Sequence, residues 1–172
     1  MRLIEFIEVQ AKSIDINWND IEEDLEFKLH DNIKDFYSKV RDTKIKGLIN
    51  FNKQWVVSLG NEQNDNWLIK LEDDTVEIFL RPLKRADDIF EQIESNFEDW
   101  TGGNDFGNRI CIGEFSFSSI GQVLILINND TGNIEWVDCG YGYFEVYEEN
   151  PNGILANNLQ SFLETIRLNE LQ

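Results

Sequence analysis

One histidine, two cysteines and thirty-three carboxylates are the side chains from which this chain of 172 residues could build chemistry. His30 lies between two helix-like stretches, with no G-x-S-x-G segment and no Ser or Cys motif beside it, so nucleophilic catalysis has no constellation to rest on. It reads as a surface or capping histidine. Cys111 and Cys139 have no C-x-x-C spacing, and a four-ligand zinc site with a single histidine would need carboxylates; the pair reads as buried free thiols on neighbouring strands. The loop holding Gly102, Gly103, Asp105 and Gly107 follows a helix instead of opening one and lacks the lysine of a phosphate loop, so it reads as a helix C-cap and turn. Residues 128–135 offer oxygen ligands, but the spacing of a calcium loop is not met, and hairpin turn chemistry explains Asn129, Asp130, Thr131 and Gly132. With thirty-three acids any number of glycosidase-like carboxylate pairs can be drawn, which makes that signal uninformative. No enzyme class, cofactor or metal site is expected.

Charge is the strongest feature. The formal net charge is −18, and it is unevenly spread. Residues 1–86 hold 13 Lys/Arg against 17 Asp/Glu, whereas residues 87–172 hold 2, Arg109 and Arg167, against 16. Such a chain repels nucleic acid and anionic membranes and steers cationic partners toward itself; solubility alone is the bland alternative. Residues 86–99 concentrate the pattern. Ile89, Phe90, Ile93, Phe97 and Trp100 form an apolar helical stripe, while Asp87, Asp88, Glu91, Glu94 and Glu98 fill the other face without a cation. Like charges three and four apart cost about 0.2–0.5 kcal/mol each, so the absence of interleaved lysines mildly favours a functional reason.

The elements that must position these residues make one domain, residues 1–172, with 41% apolar and 12% aromatic content and only two prolines, Pro82 and Pro151. A short helix is expected over residues 3–11. A second is capped by Asn19 or Asp20 with Ile21, Leu25 and Leu29 inward, and a third is capped by Asp31 and buries Ile33, Phe36, Tyr37 and Val40. Strand periodicity covers residues 48–51, 54–59, 67–71 and 75–80. The centre of the chain, 109–139, carries three strands, with 122–128 reading as a buried one. Residues 140–147 form an edge strand or loop, and 156–166 a closing helix built on Leu155, Leu159, Phe162, Leu163 and Ile166. The expected class is α+β, a central mainly antiparallel sheet flanked by N-terminal, middle and C-terminal helices. No leader-like h-region and no apolar run of membrane-spanning length occurs, so the chain reads as cytoplasmic.

Residues 19–29 followed by Asp31-Asn-Ile-Lys-Asp-Phe-Tyr37, then Ile112-Gly113-Glu114, the 123–128 strand, Asp130-x-Gly132-x-Ile134 and Ala156-x-x-Leu159-x-x-Phe162-Leu163 resemble the SUKH superfamily in order and over nearly the whole chain. That group includes Syd-like proteins, fungal cell-wall assembly regulators and many bacterial immunity proteins. Where the family usually has Leu-Pro before the third helix, this chain has Leu29-His30-Asp31. The resemblance implies a non-enzymatic protein that binds and neutralises a toxin domain, often a nuclease, of a bacterial polymorphic toxin or contact-dependent inhibition system. The alternative it implies is a regulatory scaffold of the Syd or cell-wall-regulator type. A nuclease domain is basic where it grips phosphates, so an acidic cover would associate rapidly with it. On this reading Asp87, Glu91, Glu94, Glu98, Asp105, Glu145, Glu148 and Glu149 supply the electrostatics. Trp100, Phe106, Tyr141 and Tyr143 are either exposed anchors or core residues.

Overall fold

The computed structural model describes residues 5, 15–40, 46–49, 76–84, 88–98, 106–117, 122–138, 147–150 and 152–165. Four helices and six strands occur among them: α1 (Trp18–Leu25), α2 (Asp31–Lys39), β1 (Lys46–Ile49), β2 (Val76–Leu80), α3 (Ile89–Glu98), β3 (Arg109–Phe117), β4 (Gln122–Asn128), β5 (Ile134–Asp138), β6 (Asn152–Ala156) and α4 (Leu159–Thr165). A 3-10 turn, Tyr147–Glu149, precedes β6. The strands form one sheet in the order β1-β2-β3-β4-β5-β6, each pair antiparallel. The α+β class read from the sequence is therefore the observed one. The expected helix at 3–11, the strands at 54–59 and 67–71 and the segment 140–147 lie outside the described residues, residues 5 and 147 excepted.

Both faces of the sheet are covered, and this is why β4 is apolar at every central position. Successive side chains of a strand point to opposite faces. Val123, Ile125 and Ile127 join the main core with Ile33 and Phe36 of α2, Ile93 of α3 and Phe162 of α4. Leu124 and Leu126 join a second cluster made by Phe106, Cys111, Val137 and Tyr147. A β-bulge at Ile112 keeps β3 in phase with this plan: Cys111 pairs with Leu126, but Gly113 already pairs with Ile125. The extra residue lets Ile110, Ile112 and then Phe115 all enter the main core. Strict alternation would have turned Phe115 to the other face.

The helix boundaries differ from expectation in instructive ways. α1 starts at Trp18 with Asn17 at the N-cap position, ahead of the expected Asn19 or Asp20. The Asn17 amide donates to the Asp20 carboxylate at 2.6 Å instead of capping the backbone. α1 stops at Glu26, whose φ of 63° is left-handed, so Leu29 lies in the following corner and not on the helix, although it is buried there. His30, and not Asp31, caps α2: its Nδ1 accepts the Asn32 N–H at 3.1 Å, while Asp31 occupies the first turn. The closing helix begins only at Leu159. Residues 152–156 are a strand paired with β5, and Asn158 caps α4 by accepting the Ser161 N–H at 2.8 Å. Of the two cysteines, Cys111 is buried on β3 and Cys139 lies outside the described residues; β4 separates β3 from β5, the strand that Cys139 follows.

The corner between α1 and α2 is built on Glu22, which is 4% exposed. It accepts Lys34 Nζ at 2.7 Å, Lys28 Nζ at 2.9 Å and the Leu29 N–H at 3.0 Å. Desolvation raises its pKa, but the bonds from Lys34, Lys28 and Leu29, with the Lys34 charge, outweigh this and hold it down at about 2. A carboxyl with a depressed folded pKa stabilises the fold above its unfolded value of 4.5 and loses that contribution as pH falls toward 2. The expected outcome is that the stability difference between wild type and Glu22→Gln is largest above pH 5 and shrinks below it, measured by urea unfolding across that range (about two pH units on each side of the carboxylate pKa). A difference independent of pH would contradict it.

Candidate functional site

The β4–β5 hairpin is fastened to the α1–α2 corner. Asn129 is 8% exposed; its Oδ1 accepts the His30 N–H at 2.7 Å and its Nδ2 donates to the Lys28 carbonyl at 2.9 Å. Asn32 donates to the Gly132 carbonyl at 2.8 Å. Within the turn, Asn128 Oδ1 accepts from the N–H groups of Asp130 and Thr131, so these oxygen-rich residues satisfy one another as turn chemistry predicts. Gly132 has φ of 77° and lies so close to the imidazole that a Cβ there would stand 2.2 Å from His30 Cε1. The single histidine thus joins a helix cap to a hairpin one hundred residues away in sequence, a structural task that the sequence showed only in part.

On the second face of the sheet sits an inward-facing charged cluster. Arg109 Nε donates to Glu135 at 2.6 Å and its Nη1 donates to the Phe106 carbonyl at 2.7 Å. The guanidinium carbon lies 3.7 Å from the centre of the Tyr147 ring, a cation–π contact. Asn128 also donates to Glu135, at 3.3 Å. Burial pushes the Tyr147 phenol well above its usual range, the Glu135 charge adds to this and Arg109 opposes it, so the ring remains a neutral hydroxyl that donates to the Trp136 carbonyl at 3.3 Å. Phe106, which could have been an exposed anchor, is 2% exposed and meets Tyr147 edge-on at 6.0 Å. The sequence gives no hint of this cluster beyond the scarcity of arginines after residue 86.

The acidic and aromatic residues singled out in the sequence are not one continuous patch where they are described. Glu91 and Glu94 are exposed on α3, which packs against β3 from the main-core side. Glu148 and Glu149 are exposed on the 3-10 turn, whose Tyr147 belongs to the second cluster on the opposite face. The sheet therefore stands between the two pairs. Glu98 closes α3, and Asp87, Trp100, Asp105, Tyr141, Tyr143 and Glu145 lie outside the described residues.

Beside α3 the structure forms a cavity of about 400 Å³ between the end of β2 and the helix, lined by Arg81, Pro82, Lys84, Gln92, Ser95 and Asn96 among others. Gln92 is held at both ends of its amide: Oε1 accepts the Lys84 N–H at 2.7 Å and Nε2 donates to the Asp88 carbonyl at 3.2 Å. Asn96 Nδ2 donates to the Tyr37 hydroxyl at 2.7 Å, and burial keeps that phenol above its usual range despite the bond. Burial lowers the Arg81 pKa, opposed by the neighbouring Cys111 thiol, Glu114 carboxylate and Tyr37 phenol. Among the described residues no group of three or more His, Cys, Asp or Glu side chains is arranged to hold a metal, and no helix is long and apolar enough to cross a membrane. No family model matches the chain, and no curated protein is significantly similar to it.

Proposed function

We propose that this protein is a non-enzymatic binding protein that captures a basic protein partner through acidic surface, and specifically a cytoplasmic immunity protein that neutralises a nuclease-type toxin domain. The observation that carries this reading is the fate of Arg109. One of only two basic residues after position 86, it is turned inward onto Glu135 and Tyr147. It is thus spent within the fold, while Glu91, Glu94, Glu148 and Glu149 face solvent. A surface of that sign attracts a cationic protein and accelerates its encounter. The resemblance of residues 19–37, 112–114, 123–134 and 156–163 to the SUKH superfamily supports the toxin-directed form of the reading.

Co-expression with the protein encoded by the neighbouring reading frame, followed by pull-down and a growth-rescue assay, tests it. Tight, salt-sensitive capture with rescue of growth is the expected result. Absence of both capture and rescue would overturn the immunity assignment and leave the regulatory-scaffold alternative. Capture without rescue would favour that alternative as well.

A further inference from the structure

We propose that the cleft between the end of β2 and α3 is a socket for an acidic side chain carried by the basic protein partner, an inference that rests on the protein-binding reading above. In a chain of formal charge −18, this concavity brings together two cations, Arg81 and Lys84. Lys84 is exposed at its rim, and Arg81 is only partly exposed. Loss of hydration makes a guanidinium a better partner for a carboxylate, with which it forms planar, two-point hydrogen bonds. The neutral wall is ordered in advance. Gln92 is fixed by Lys84 and Asp88, and Asn96 by Tyr37, so these amides stand beside Ser95 at little further cost in side-chain entropy.

The choice of occupant follows from charge. A free anion must approach a strongly acidic protein against its field, which salt screens only beyond roughly 8–10 Å. An acidic side chain set in a cationic partner surface meets no such barrier, because the partner as a whole is drawn in. The cleft is also placed for this: Ser95 lies one helical turn from Glu91, so the socket adjoins the exposed Glu91 and Glu94 on α3. A partner that lays basic residues on those glutamates delivers an acid between them to Arg81 and Lys84. Such an alternation of sign fixes orientation and register, and it penalises basic proteins that lack the acid.

Lys84→Glu separates this from attraction by net charge, because the two make opposite forecasts. The substitution makes the protein more acidic, so bulk attraction alone would strengthen the complex. The socket predicts dissociation at least ~10-fold faster, the scale of losing a charge pair at an interface, with Lys84→Ala intermediate. The measurement is dissociation of the captured complex by surface plasmon resonance. Thermal unfolding checks that the fold is intact, as expected for an exposed side chain whose backbone N–H bond to Gln92 is untouched. Unchanged or slower dissociation of Lys84→Glu would overturn the socket while leaving the protein-binding reading standing. Failure to capture any partner would remove both. Acetate and inorganic phosphate serve as free-anion probes, followed through the Lys84 and Ser95 amide resonances. No saturable shift is expected at millimolar concentration, and saturable binding of either would assign the cleft to a free anion instead.

Discussion

Gly113→Ala is expected to lower the stability of the protein by about 3 kcal/mol, the upper range for forcing atoms into a filled interior. A Cβ at Gly113 would stand 2.2 Å from the Phe79 carbonyl oxygen and 3.2 Å from Leu80 Cα. Both obstacles are backbone, so no rotamer change can relieve them. Relief requires β2 and β3 to part where Leu80 pairs with Gly113, next to the bulge at Ile112. That bulge sets the phase that sends Phe115 into the main core, and Arg81 donates its N–H to the Ile112 carbonyl at 2.8 Å at the same place. Displacing it therefore disturbs packing on top of the clash. Urea unfolding of the variant checks this; a loss under about 1 kcal/mol, within what a relaxed site would show, would mean that the two strands can separate cheaply.

Arg109→Met is expected to cost a similar amount, about 3–4 kcal/mol, because it leaves Glu135 buried without its cation. The side chains of Arg109 and Glu135 are only 16% and 8% exposed. The substitution also removes the donor to the Phe106 carbonyl and the cation over Tyr147. The second half of the prediction concerns Arg109→Met combined with Glu135→Leu. An apolar pair removes the stranded charge, so the double variant should be more stable than Arg109→Met alone, by about 1–2 kcal/mol if the stranded carboxylate carries most of the penalty. Additive losses from the two single variants would show that the pair does not act as a unit.

These two sites also show where the sequence was legible. The run from Val123 to Ile127 could be read as a buried strand because it is apolar on both sides of the sheet, and the structure covers both sides. The amphipathic stripe of α3 and the hairpin at Asn129–Gly132 were legible for similarly local reasons. The bulge at Ile112 was not, since one extra residue in a strand leaves no change of composition. Leu155 and Ala156 were read into the closing helix because they fit helical spacing; pairing of residues 152–156 with β5 overrode that local preference. Arg109 and Glu135 are 26 residues apart, and only the register of β3, β4 and β5 brings them together. The candidate site was legible as charge but not as shape. Counting acids could not reveal that Glu91 and Glu94 lie on one side of the sheet and Glu148 and Glu149 on the other.

That separation makes the interface question decidable. Charge alone groups all four glutamates, whereas the cleft beside α3 points to the Glu91 and Glu94 side. The measurement that bears most directly on acidic capture is the association rate constant of the captured partner, followed against salt, for wild type, Glu91→Lys/Glu94→Lys and Glu148→Lys/Glu149→Lys. The account predicts a rate at low salt at least ~10-fold lower for the α3 variant, with a flatter salt dependence, since steering contributes on the order of tenfold or more. The variant on the 3-10 turn should change by no more than about 3-fold, as expected for charges away from the contact in screened solution. An association rate that is insensitive to salt and unchanged by Glu91→Lys/Glu94→Lys would contradict the claim and reduce the acidity of this protein to a means of staying in solution.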